Sequence, residues 1–148
     1  MNDPDTVMST YERERQARAK LSEANKQAVF DALAAANINQ VHVEFDGEGD
    51  QGQIESVIAL REEERAEFPN VGVIIRHVPS GEYDPIRTIE QIEKAIETLC
   101  YDYLEETHGG WENNDGAYGD FRLDVAKRTV ELEFNGRFTD TCTSNHKF

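Results

Sequence analysis

Between Phe121 and Phe134 apolar residues occupy every second position twice over: Phe121, Leu123 and Val125, then Val130, Leu132 and Phe134. A period of two marks a strand with one buried face, whereas a helix of 3.6 residues per turn would scatter these side chains around its axis. The short Ala126-Lys127-Arg128 link predicts an antiparallel hairpin. Asn135-Gly136 follows as a strong turn pair, so Phe138 to Cys142 are expected to return as a third strand of a C-terminal meander.

The same alternation recurs upstream. Val41, Val43 and Phe45 alternate with His42, Glu44 and Asp46, which predicts a half-buried strand. Gly47, Gly49 and Gly52 interrupt it, and Ile54 to Leu60 reads as the returning strand of a hairpin. REEERAEFPN is a charged stretch expected to form a helical turn or two before Pro69. VGVIIRHV, residues 71–78, is rich in β-branched residues and reads as another strand, followed by a PSGEYDP turn.

Two segments carry a helical period instead. Ile86 to Thr107 places Ile89, Ile92, Ile96, Leu99 and Tyr103 at three- and four-residue steps, with Thr88 and Gln91 spaced as a capping box and Gly109-Gly110 beyond the end. Ser9 to Asn37 is rich in Ala, Glu, Lys, Arg and Gln, with Leu21, Ala24, Ala28, Phe30 and Leu33 as its apolar face. Ser22 is placed to open a second segment of it, Asn37 to stop it, and residues 1–8 to fray. Together these elements predict an α+β fold over residues 1–148 as one domain. It has a mostly antiparallel sheet ending in the meander, one long amphipathic helix packed on it, and a helical N-terminus over residues 9–37.

A chain of 148 residues, 38% hydrophobic and with seven Phe, can bury a substantial core. No apolar run is long enough to span a bilayer, and MNDPDTVMSTYERER lacks the basic-then-apolar layout of a signal peptide, so a cytoplasmic protein is expected. Cys100 and Cys142 then read as reduced thiols, with Cys100 in the core beside Leu99 and Tyr103.

Thirty acids against 15 Lys and Arg leave a formal charge of −15. That field disfavours direct contact with nucleic acid phosphates and anionic membranes, and favours basic protein surfaces or cations. The charge is clustered: residues 41–70 hold nine acids against Arg61 and Arg65. Its densest part, DGEGDQGQIE at 46–55, spaces Asp46, Glu48 and Asp50 as a calcium loop does. An EF-hand is excluded, because Gln51 stands where the sixth-position Gly is required and Val57 where the bidentate Glu is. A non-standard calcium or magnesium site on Asp46, Glu48, Asp50 and Glu55 remains an alternative to a solvated hairpin end. A second polar loop, residues 109–120, carries Trp111, Glu112, Asn113, Asn114 and Asp115 between glycines. Its Trp reads either as a contact residue or as a plug at the end of the core.

No catalytic motif stands out. His42, His77, His108 and His146 are far apart, and there is no P-loop, G-x-S-x-G or C-x-x-C. No catalytic residue and no cofactor is therefore assigned.

FDGEGDQGQIE (45–55), GGWENNDGAYGDFRLDV (109–125), ELEFNGRFTDT (131–141) and the terminal HKF resemble an uncharacterised family of small acidic bacterial proteins found in plasmid- and phage-borne settings. The resemblance covers the C-terminal two thirds of the chain. It implies that the two glycine-rich acidic loops belong to one design, and it transfers no substrate and no catalytic residue. The expected function is a non-enzymatic interaction module, an inhibitor from a mobile element that occupies a basic or nucleic-acid-binding surface of a host protein. Its contacts would be Asp46, Glu48, Asp50, Glu55, Trp111, Glu112, Asn113, Asn114 and Asp115. A divalent-cation module and a small carboxylate enzyme are the alternatives.

Overall fold

The computed structural model describes residues 4–48, 51–78, 84–108, 116–136 and 142–148, with the side chains of 4–14, 48, 51–52 and 142 left aside. Helix α1 spans Pro4–Ala35 and runs without a break past Ser22. It ends where expected: Asn37 takes a left-handed φ of 60°. The Ile38 N–H bonds the Leu33 carbonyl at 3.0 Å and the Asn37 N–H bonds the Ala34 carbonyl at 3.0 Å. These are the paired bonds of a Schellman cap, with Asn in the place glycine usually takes. The Arg61 guanidinium donates to the freed Ala36 and Asn37 carbonyls at 2.8 and 3.2 Å.

The main sheet has six strands in the order β3-β2-β1-β6-β7-β8, every pair antiparallel. They are β1 Gln40–Glu48, β2 Gln51–Arg61, β3 Glu64–Ala66, β6 Ala117–Asp124, β7 Thr129–Gly136 and β8 Cys142–Lys147. β4 Gly72–His77 and β5 Ile86–Gln91 pair separately as a two-stranded ribbon that contacts α1 and α2 (Ile92–His108). The α+β reading with a C-terminal meander is what the chain adopts.

One face of the sheet is apolar. Val41, Val43, Phe45, Phe121, Leu123, Val130 and Leu132 are buried on it, together with Phe30 and Leu33 from α1 and Ile92, Ile96, Leu99 and Tyr103 from α2. Phe121, Leu123 and Val125 do share that core with Val130, Leu132 and Phe134. Tyr101 Oη accepts a hydrogen bond from the Ile54 N–H at 2.8 Å, which ties α2 to β2.

Four local expectations need correction. Ile86 to Gln91 is strand β5, not the first turns of the long helix, so Thr88 and Gln91 form no capping box and Ile89 is 78% exposed instead of in the core. A β-branched I-R-T-I stretch can extend and pair with β4, and Ile89 only happened to continue the helical spacing of Ile92 and Ile96. Asn135-Gly136 is not a turn: β7 runs through it, pairing with Thr143 and Cys142, and strand β8 spans Cys142–Lys147, while residues 138–141 of the expected third strand lie outside the described residues. REEERAEFPN forms a tight turn and the short β3 instead of helix. Helix α1 begins at Pro4, inside the segment expected to fray.

Candidate functional site

Glu48 pairs with Gln51, Gly47 with Gly52 and Asp46 with Gln53, so DGEGDQGQIE is a hairpin end as expected. The pairing slips by one residue at Glu44/Phe45, which leaves Glu55 as the unmatched residue of a β-bulge between Ile54 and Ser56. Glu55 is exposed and accepts a hydrogen bond from Gln53 Nε2 at 3.2 Å. Asp46 is half-buried on β1, level with Gln53 on one side and Tyr118 on the other. Asp50, Trp111, Glu112, Asn113, Asn114 and Asp115 lie outside the described residues. Gly47 is level with Ala117, and Ala117 with Gly136, so the residues that follow or precede all three connections, 49–50, 109–115 and 137–141, are at one end of the sheet.

The face of the sheet opposite the core is where charge gathers, and sequence reasoning did not single it out. Alternation puts Glu44, Asp46, Asp120, Asp124, Glu131 and Glu133 there, against the basic Arg65, Arg122 and Lys147. Glu44, Asp120 and Glu133 stand side by side across β1, β6 and β7. Arg122 bridges two of them, with Nε 3.5 Å from Asp120 and Nη2 3.8 Å from Glu133. Lys147 Nζ is 3.4 Å from Glu131. Each of these side chains is at least a third exposed, so the pairs hold charge in place more than they stabilise the fold. Between β6, β7 and β8 they border a shallow depression of about 260 Å³. Among the described residues no group of three or more His, Cys, Asp or Glu is arranged to hold a metal ion.

A second polar constellation links residues 36 apart in the chain, at the end of α2. Ser144 Oγ is 3.0 Å from His108 Nε2, and Thr107 Oγ1 is 2.9 Å from His108 Nδ1. The Thr107 hydroxyl already donates to the Tyr103 carbonyl at 2.7 Å, so it accepts from Nδ1–H, and in the neutral ring Nε2 accepts from the Ser144 hydroxyl. Burial, then the neighbouring His146, push the pKa of His108 below the ordinary value, which favours that neutral imidazole. A serine beside a neutral histidine is half of a nucleophilic pair. Here, though, the orienting group is a hydroxyl and not a carboxylate, and the ring is stacked on Phe134. The arrangement fastens α2 to the edge strand β8.

Cys100 has no exposed surface, and burial, with Glu97 and Asp102 adding to it, drives its thiol well above the usual range. It is core, as its neighbours Leu99 and Tyr103 implied, and a poor nucleophile. No helix among the described residues is long and apolar enough to cross a membrane.

Comparison with curated proteins and with solved structures finds no match. A family profile does match, and it begins at Leu21, midway along α1, and takes in every strand, α2 and the whole open face. Over residues 21–148 the chain belongs to the family of unknown function DUF6878.

Proposed function

We propose that this protein is a non-enzymatic binding module whose carboxylate-rich hairpin and open sheet face dock a basic protein surface. The observation that supports this most is the row Glu44–Asp120–Glu133, continued by Asp46 toward the hairpin end, on a face that neither helix covers. Carboxylates on adjacent strands repel one another, and like charges directly opposite are destabilising in a sheet. A lysine- or arginine-rich partner relieves that repulsion and gains steering from the clustered negative field. An inhibitor that fills a nucleic-acid-binding groove uses the same chemistry, since it presents the charge that phosphates would. The residues of 109–115 adjoin this end of the sheet in sequence and complete the surface in this reading.

The test is capture of proteins from a cell lysate on the immobilised chain, followed by a salt gradient. The parent should retain a basic protein that elutes as salt rises. The triple variant Asp46→Asn, Glu48→Gln, Asp50→Asn should melt nearly as the parent does and lose that protein, most visibly at low salt. Equal retention by the variant would reduce the hairpin to a solvated turn. A rise in melting temperature with calcium or magnesium that the variant lacks would replace this reading with a cation module.

A further inference from the structure

The β4–β5 ribbon carries the reverse chemistry. Arg76 stands directly opposite Arg87, and Ile74 directly opposite Ile89, on one face of the ribbon. Val73 and Ile75, on the other face, are buried in the core. Ile89 is 78% exposed and Ile74 44%, in the middle of paired strands where an apolar side chain normally finds cover. Val71 and Ile86 are exposed nearby. Gly72 makes the display possible: a Cβ there would come within 2.6 Å of Ile89 Cγ2, so the isoleucine lies across the glycine with its outer side facing water.

The arginines are as unusual as the isoleucines. The Arg76 backbone N–H and C=O both bond the Asn25 side chain, at 2.8 and 2.9 Å, so they point away from β5. The Arg76–Arg87 pair is then one of the non-hydrogen-bonded pairs of the ladder, in which facing side chains stand closest. Two guanidinium groups so placed repel each other. Neither forms an ion pair among the described residues, in a chain where acids outnumber Lys and Arg by 30 to 15. The same alternation turns the backbone groups of Arg87 and Ile89 outward along β5, the free edge of the ribbon.

We infer that the outer face and free edge of this ribbon bind an extended acidic segment of a partner protein, in which a carboxylate and a branched apolar residue stand two positions apart, on one face of the strand. Such a segment adds to β5 as a strand, through main-chain hydrogen bonds with Arg87 and Ile89. Its apolar side chain lies beside Ile89, and its carboxylate, two positions away on the same face, pairs with Arg87 and offsets the repulsion from Arg76. Screening over about 8 Å at physiological salt confines the repulsion of the chain's other carboxylates, so the local pair decides the contact. This surface uses none of the residues of the carboxylate hairpin, and the two sites make the protein a bridge between a basic partner and an acidic one.

The probe is a fluorescein-labelled octapeptide that carries isoleucine and glutamate in turn at every second position, with serine between them, titrated with the full chain at physiological salt and read by fluorescence anisotropy. Saturable binding is expected, with at least a tenfold loss in Arg76→Glu/Arg87→Glu and in Ile89→Asp, and unchanged binding in the hairpin triple variant. Arg87 and Ile89 are exposed and Arg76 is half-buried, so Ile89→Asp should melt as the parent does, and Arg87→Glu alone repeats the charge test should the double variant melt lower. The lysine version of the peptide and a version N-methylated at alternate residues should both fail to bind. Equal binding of the lysine peptide or by the arginine variant overturns the charge assignment, and equal binding of the methylated peptide overturns strand addition. A concentration-dependent dimer in sedimentation that Ile89→Asp dissolves overturns the proposal in favour of a second copy of the chain.

Discussion

The imidazole of His108 lies flat on the ring of Phe134, with centroids 3.7 Å apart and planes 10° from parallel. His108 is the last residue of α2 and Phe134 is on β7, so the stack joins the helix end to the sheet. It is one link of a closed circuit of rings. Phe134 meets Phe45, Phe45 meets Phe121, Phe121 meets Tyr103, Tyr103 stacks on Phe148 at 4.3 Å, Phe148 meets His146, and His146 meets His108 edge-on. Phe134 is 8% exposed at the centre of this contact. Phe134→Ala should destabilise the protein by about 3–5 kcal/mol in chemical denaturation, the usual cost of emptying a buried aromatic site. A loss under 1 kcal/mol would mean that the circuit does not hold the core.

The circuit also predicts a pH dependence. The folded pKa of His108 is depressed by burial and then by His146, so as pH falls through about 6.5 the unfolded chain takes up the proton first. The contribution is fully favourable above that pH and is lost as pH falls toward the folded value. Asp102 acts in the opposite sense. Desolvation of its carboxyl, then Glu90 and Glu106, outweigh the attraction of His77 and raise it to about 6, so the fold gains as pH falls from there toward 3.8. The residue is exposed as a whole, which keeps its share small. In an Asp102→Asn background, the melting temperature should fall between pH 7 and 5, and His108→Phe, which keeps the stack, should flatten that slope.

Glu62 and Glu63 both take positive φ, 52° and 70°, in the two-residue turn between β2 and β3. Such turns normally use Asn-Gly, because a side chain clashes in the left-handed region. The turn is held by Asn39, whose Oδ1 accepts the Glu62 N–H at 2.7 Å. Replacing the pair by Glu62→Asn and Glu63→Gly should stabilise the chain by about 1 kcal/mol. A lower melting temperature in the double variant would count against the turn geometry.

Gly119 sits between Phe45 on β1 and Phe134 on β7 in the sheet register. Its missing side chain lets those two rings meet across the strand between them, with centroids 6.1 Å apart. A Cβ there would come within 2.0 Å of the Glu133 carbonyl oxygen and 2.9 Å of Phe45 Cζ. Backbone cannot move aside as a flexible side chain can, so Gly119→Ala should cost about 3 kcal/mol, at the upper end for overpacking. A variant that melts like the parent would show that the strands part easily here.

Much of the main sheet was readable from the chain because its strands have one wet face, and a period of two leaves no helical alternative. The hairpin at 46–55 was readable for the same reason, with glycines between two alternating runs. β5 was misread because Ile89 falls in step with Ile92 and Ile96, and spacing alone cannot reveal that the backbone changes state at Gln91. Asn135-Gly136 was misread because a turn-forming pair can also sit in an extended strand when its neighbours pair on both sides. The row Glu44–Asp120–Glu133 and the Ser144–His108 contact were out of reach, since both depend on strand order and register between segments far apart in sequence. No spacing rule connects them.

The Asn25 side chain holds both backbone groups of Arg76, as a neighbouring strand would. Asparagine can imitate a peptide in this way because its amide offers one donor and one acceptor in the same plane. The helix therefore terminates the ribbon on the β4 side, and only β5 is left to recruit another strand. A sheet that can grow in one direction only forms a finite complex. One that can grow in both directions can seed a fibre, and the Asn25 amide occupies the β4 edge of this ribbon at Arg76.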